Sequence, residues 1–320
     1  MPITSTFQKK TNMSRKHLLR LVFLISLTTS LWSCNERPPS SNKKNVVCTT
    51  NVIADAIKNI LPSNFEVNAL MGAGVDPHTY KSKTSEMKKM LQADAIVYNG
   101  IHFESNLIDA INEISKTGFV IGLGNIVSKN RLIKTTDFGS AYDPHFWHDV
   151  NLFSEAIKLA GKEFANKFPT SKNYIDSATE AYTNRLHELE NQVRSQILKI
   201  PDSSRVLITA HDAFGYYGRL FNIKVKGVQG ISTASDVSLR GITELTKYII
   251  SKKIPSIFVE NSVSQKNIKA IIEGCKSKGV QLKMGEKLYS DGLGDMESGA
   301  DTYIKMIQKN TNSIVRALTK

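Results

Sequence analysis

Cysteine is scarce in these 320 residues: Cys34, Cys48 and Cys275 are all there is, and no two form a C-x-x-C pair. That spacing excludes a thiolate metal site and a dithiol redox motif. H-E-x-x-H, G-x-S-x-G and a Walker loop are missing as well, and Gly72-Ala73-Gly74 lacks the third glycine of a dinucleotide fingerprint. The common hydrolase and nucleotide-binding chemistries therefore have no motif support. No apolar run reaches the roughly 18–20 residues that a membrane-spanning helix needs. Aromatic residues make up 8% of the chain and are not interleaved with basic blocks, so nucleic acid is not an expected partner.

Acidic residues are absent before Glu36, whereas Lys9, Lys10, Arg15, Lys16 and Arg20 precede an apolar run from Leu21 to about Leu31. That is an export signal. The run ends in Leu31-Trp32-Ser33-Cys34, and a polar stretch rich in Pro and Ser follows at once. This resembles a bacterial lipoprotein signal, which implies removal of residues 1–33, lipidation of Cys34 and a flexible tether over 34–45. Trp32 is an unusual occupant of that box, and the plainer alternative is a cleaved secretory signal. The expected location is the periplasm or cell surface, held to the membrane by lipid. Loss of residues 1–33 lowers the formal net charge of +13 to +8, so much of the basicity is targeting signal. Cys48 and Cys275 then remain, in apolar settings that favour buried free thiols.

A mature chain of this length exceeds what a single core usually covers, and two domains are expected. Runs at Asn45–Thr50, Phe65–Leu70, Ala95–Tyr98 and Phe119–Ile121 read as buried strands, with helical periodicity after Thr50, near Thr84–Leu91 and over Glu104–Ile114. A second set of strands falls at Arg205–Ala210, Ile223–Val228, Ser256–Val259 and Val280–Met284, with helices from about Val237 and after Ser264. Strands separated by helices imply parallel sheets. Between the blocks, Asn151–Phe168 and the Gly- and Pro-free stretch Ser171–Lys199 read as connecting helices, the second a strut of roughly 40 Å. The fold class is thus α/β, with an N-terminal lobe over 46–150, connecting helices over 151–199 and a C-terminal lobe over 200–320.

The clearest constellation is a repeated tripeptide, Asp76-Pro77-His78 and Asp143-Pro144-His145. Proline stiffens each loop that presents a histidine. His211 follows the strand Arg205–Ala210 directly, and Asp291 follows the last strand of the second block. Ligands of open α/β sheets bind beyond the carboxyl ends of the strands, so a cleft between the lobes would bring these residues together. Three imidazoles and one carboxylate suit zinc, and a carboxylate offering both oxygens would adapt the set to manganese. Each residue alone has a plain reading, and Asp291-Gly292 is also a turn pair. His102 and His148 are weaker candidates, while His17 lies in the signal and His187 on the polar helix.

These segments, with Asn99-Gly100 and Glu104, Asp143-Pro144-His145-Phe146-Trp147, Ala210-His211-Asp212-Ala213-Phe214-Gly215-Tyr216, Phe258-Val259-Glu260 and Tyr303-Ile304-Lys305-Met306, resemble the zinc- and manganese-binding solute-binding proteins of ABC transporters, the TroA-like or cluster A-I family. The resemblance covers nearly all of the mature chain. It implies two α/β lobes joined by a long backbone helix, a metal between them, ligand positions at His78, His145, His211 and Asp291, and delivery of the ion to an inner-membrane ABC permease; a monomer is expected, although the sequence itself is silent on oligomeric state. Two departures stand out. The stretch Gly122–Tyr142 has no histidine where zinc-selective members often carry a His-rich loop, and His148 stands where Leu is typical. Three imidazoles favour zinc, with manganese as the alternative. A non-enzymatic carrier is the main reading. The rivals are a zinc-dependent hydrolase, with Asp291 or Glu260 as base on a bound water, and a surface adhesin that shares the fold.

Overall fold

Residues 43–135 and 142–319 are described by the structure, a computed structural model. Cys34, the signal and most of the tether lie outside them. The first lobe contains β1 (Lys44–Thr50), α1 (Asn51–Ile60), β2 (Phe65–Met71), α2 (Thr84–Leu91), β3 (Ala95–Tyr98), α3 (Ile108–Ser115), β4 (Val120–Gly122) and the single turn α4 (Leu123–Ile126). Its four strands are parallel in the order β2-β1-β3-β4, with Val46 opposite both Val67 and Ala95. Both faces of β1 are covered: Val46 and Cys48 pack into one core and Val47 into another, which explains a continuous apolar run in place of alternation.

The expected helix over Glu104–Ile114 starts later, at Ile108. Ile101 and His102 have positive φ, and the Glu104 carboxylate turns inward to accept from Thr49 Oγ1 and the amides of Asn99 and Gly100. A buried side-chain acceptor organises residues 101–107 as a turn, against their helical periodicity.

Two connecting helices follow, α5 (Val150–Lys167) and α6 (Lys172–Ile197). The Asp149 side chain caps α5 by accepting from Leu152 N at 3.0 Å. The 26 residues of α6 span about 39 Å. Ile175, Thr179, Tyr182, Leu186, Leu189, Val193 and Ile197 form its single buried stripe, which joins the main core of this same chain. That burial leaves no seam for a coiled coil with another chain.

The second lobe comprises β5 (Val206–His211), α7 (Gly215–Phe221), β6 (Lys224–Gln229), α8 (Leu239–Ser251), β7 (Ser256–Ile257), α9 (Lys266–Lys276), β8 (Lys283–Met284) and α10 (Tyr303–Leu318). The pairs β5-β6 and β7-β8 are parallel. Strands β7 and β8 are shorter than the sequence periodicity suggests, but their pairing continues irregularly: Phe258 N donates to Ile208 O, Leu288 N to Val259 O and Asn261 N to Leu288 O. These bonds carry the sheet to the segment that bears Asp291. Cys48 and Cys275 are buried free thiols, as expected, and burial pushes the Cys48 thiol up. No helix among the described residues is long and apolar enough to cross a membrane.

Candidate metal centre

The loop after β2 presents His78, the segment before α5 presents His145, the last residue of β5 is His211, and the irregular stretch after Leu288 presents Asp291. Four residues distant in sequence thus converge where the two sheets end. One candidate ligand atom from each lies within 4.8 Å of all the others, and all four side chains are buried. Nε2 of His78 and of His145 are 3.3 Å apart, and Asp291 Oδ1 is 3.5 Å from His145 Nε2 and 3.3 Å from His211 Nε2. A tetrahedron with ligand bonds of about 2.0–2.1 Å has edges of about 3.3–3.4 Å. The three printed edges come close to it, and the remaining pairs of the four atoms lie within 4.8 Å, so the cluster is somewhat wider than a closed zinc tetrahedron.

The outer nitrogens are not equivalent. His145 Nδ1 lies 2.8 Å from Asp143 Oδ1, which also accepts from the His145 amide at 2.9 Å. His211 Nδ1 lies 2.5 Å from Glu260 Oε2, while Glu260 Oε1 accepts from the His211 amide at 2.9 Å. Each carboxylate therefore fixes both the ring and its backbone, and directs the lone pair of Nε2 inward. His78 has no carboxylate at Nδ1, which is buried without a partner; Asp76 accepts only from its amide, at 3.0 Å. The other Asp76 oxygen accepts from Thr233 Oγ1 of the second lobe at 2.7 Å. Asp291 directs Oδ1 at the imidazoles, while its Oδ2 accepts from Ser262 Oγ at 3.1 Å.

Burial and charge shift these groups in different directions. Burial, helped by the neighbouring imidazoles, lowers His78 to about 3. Burial also opposes the charged form of His145, but Asp143 and Asp291 outweigh it and raise the ring to about 9. His211 is raised well above the usual histidine range because Asp291 and Glu260 outweigh its burial. Asp291 is held well below the usual carboxylate range by the imidazoles despite complete burial. The buried residues His211 Nε2 and Asp291 Oδ1 are otherwise without a hydrogen-bond partner. A divalent cation fits this donor set, since it would give both inward-facing atoms a partner.

The four residues singled out from the sequence are thus brought together. His102 is exposed at a positive φ and His187 is exposed on α6, so neither joins the cluster. His148 is buried beside it: burial lowers the ring to about 3, and its Nε2 lies 3.0 Å from Ser290 O. Glu260 was legible in the sequence only as a family position or a hydrolytic base. The structure uses both of its oxygens on His211. Gly227 carried no sequence signal at all. A Cβ there would come within 2.5 Å of Asp212 N and 2.7 Å of His211 C, so the backbone after β5 has closed over a bare glycine. Gly227→Ala is expected to lower unfolding free energy in urea by about 1–3 kcal/mol, the usual cost of overpacking. An unchanged midpoint would refute that close fit.

Two parallel-sheet lobes with an enclosed imidazole–carboxylate cluster where their strands end are the fold of the metal-binding solute-binding proteins of ABC importers. The chain belongs to the family described as zinc-uptake complex component A, periplasmic, which matches residues 46–317. It is 39% identical over 273 residues to the manganese-binding lipoprotein MntA of Bacillus subtilis (strain 168), covering 85% of this chain and 89% of that protein. It is 34% identical over 281 residues to the zinc-binding protein TroA of Treponema pallidum (strain Nichols), covering 88% and 91%. The solved structure of the periplasmic zinc-binding protein TroA from Treponema pallidum matches with a TM-score of 0.84 at 34% identity, covering 87% of this chain and all of that one.

Proposed function

We propose that this protein is the extracytoplasmic receptor of an ABC importer, capturing one zinc ion on His78, His145, His211 and Asp291 and handing it to the permease in the inner membrane. The observation that carries this reading is the convergence of four buried ligand atoms within 4.8 Å of one another, three of their separations being 3.3–3.5 Å, close to the edges of a four-coordinate zinc site. Manganese, which the name of the Bacillus subtilis relative specifies, is the alternative cargo.

The chain acts as a carrier and not as a catalyst. A hydrolytic centre needs an open coordination position and a free base. Here four protein atoms close on one point, and the nearest other carboxylates, Asp143 and Glu260, are committed to histidine Nδ1 atoms. Lipidation of Cys34 would keep the receptor at the membrane with the tether as its radius of action. The lobes are assigned to 46–150 and 200–320 and the connecting helices to 151–199. The protein works as a monomer.

The test is metal content by mass spectrometry on the full-length chain, as purified and after stripping and exposure to equal zinc and manganese. About one zinc per chain is expected. Preferential manganese retention would reassign the cargo, and no stoichiometric metal under either condition would overturn the receptor reading.

A further inference from the structure

His148 is buried against three of the four site segments at once. It lies three residues after His145, its ring packs on Phe214 at 4.4 Å between centroids, and its Nε2 reaches Ser290 O, next to Asp291. A carbonyl only accepts, so the neutral ring carries its proton on Nε2 and donates it to Ser290 O. Trp147 Nε1 donates to the same oxygen at 2.9 Å, so two adjacent side chains hold one peptide unit. Leu293 and Gly292 are gripped in turn by Asn51 and Asn261, which leaves the Asp291 backbone little freedom. The carboxylate itself is divided, with Oδ1 toward His145 and His211 and Oδ2 on Ser262.

We propose that His148 is a positioning residue that, through the Ser290 carbonyl, holds Asp291 as a one-oxygen ligand and so biases the site toward a small four-coordinate ion over a larger ion of higher coordination. The inference rests on the metal-receptor reading above. A carboxylate presented through one oxygen completes a tetrahedral set, whereas one free to rotate can offer both oxygens, which suits manganese. The inward aim of a metal ligand depends on the groups behind it, and loss of such a group typically reduces metal affinity 10- to 100-fold. Leucine at this position would remove the donor to Ser290 O together with the unpartnered buried Nδ1, so the fold should tolerate it. Glutamine places an amide N–H close to the position of Nε2 and restores the bond.

The experiment measures zinc and manganese dissociation constants of the full-length chain by competition against chelators, for the wild type, His148→Leu and His148→Gln. X-ray absorption on the zinc-loaded proteins supplies the coordination number, which a merely structural role would not move. In His148→Leu, zinc affinity should fall about 10- to 100-fold with manganese affected less, moving the ratio toward manganese, and zinc should gain a second carboxylate oxygen. His148→Gln should recover the wild-type ratio and four-coordinate zinc. A His148→Leu ratio within threefold of wild type, or a loss that His148→Gln leaves uncorrected, overturns the proposal. Wild-type protein that binds neither metal would instead overturn the receptor reading itself, so the two failures are distinguishable.

Discussion

His211→Ala should reduce zinc affinity by more than about 100-fold, beyond the 10- to 100-fold expected for Glu260→Gln, because it deletes a ligand whereas the latter only loosens one. The loss should be accompanied by instability even without metal. His211 Nδ1 and Nε2 face Glu260 and Asp291, two carboxylates in the buried interior. Removing the imidazole leaves both without their principal cation, and breaking one partner of a buried ionic set typically costs about 3–5 kcal/mol. Chelator competition and urea unfolding of the metal-free protein measure the two effects. His187→Ala, at an exposed position on α6, is the control and should change neither. Near-wild-type zinc affinity in His211→Ala would remove this residue from the ligand set.

Zinc binding should strengthen with pH well above neutrality and should release about two protons near pH 7. Ligation needs neutral imidazoles. In the metal-free pocket, His145 is raised to about 9 and His211 is raised well above the usual histidine range, so both favour carrying protons that the ion must displace. His78, lowered to about 3, is already neutral and contributes no proton in this window. The sign follows: each displaced proton adds about one decade of affinity per pH unit until the pH passes that group's metal-free value. From the usual histidine value of 6.5 up to about 9, zinc affinity should therefore rise by one to two decades per unit.

Folding stability of the metal-free protein should run the other way. A ring raised from 6.5 to about 9 stabilises the fold fully below 6.5, and that contribution fades as pH rises through 9. The gap in melting temperature between zinc-loaded and metal-free protein should widen with pH across this window. Exchanging two protons for one divalent ion leaves the net charge of the pocket unchanged, so Asp143, Asp291 and Glu260 face the same total positive charge whether or not the cargo is present. Calorimetry in buffers of different ionisation enthalpy counts the protons. A count near zero, with affinity flat from pH 6.5 to 9, would show that the empty pocket holds neutral imidazoles.

Much of this architecture was legible because local signals agreed with the fold. Apolar runs at β1 and β3, bounded by helical periodicity, announced parallel strands, since a strand covered on both faces has no polar positions to interrupt it. The stiff Asp-Pro-His loops and a histidine at the end of β5 pointed to the site for a similar reason, in that sheet geometry limits where strand ends can lead. Where local periodicity misled, a distant partner had intervened. Residues 101–107 could have extended α3, but Glu104 satisfies Thr49 and two backbone amides instead. Ser256–Val259 and Val280–Met284 shortened as ladders because their pairing turns irregular on the approach to Asp291.

Residue types and their order made the α/β class, the parallel sheets and the connecting helices legible, and they offered the four side chains as candidates that the family resemblance then drew into one set. These depend on near-neighbour periodicity, on proline stereochemistry and on the rule that parallel strands need crossovers. Only the folded chain could decide that Asp143 and Glu260 aim two of the imidazoles, that His78 lacks such a partner, and that His148 reaches the peptide before Asp291. Asp143 and His145 are near neighbours, but the Glu260 and His148 relations join residues 49 and 142 positions apart, and no local spacing encodes those. They arise when burial strips water from polar groups and obliges each to find its partner across the core.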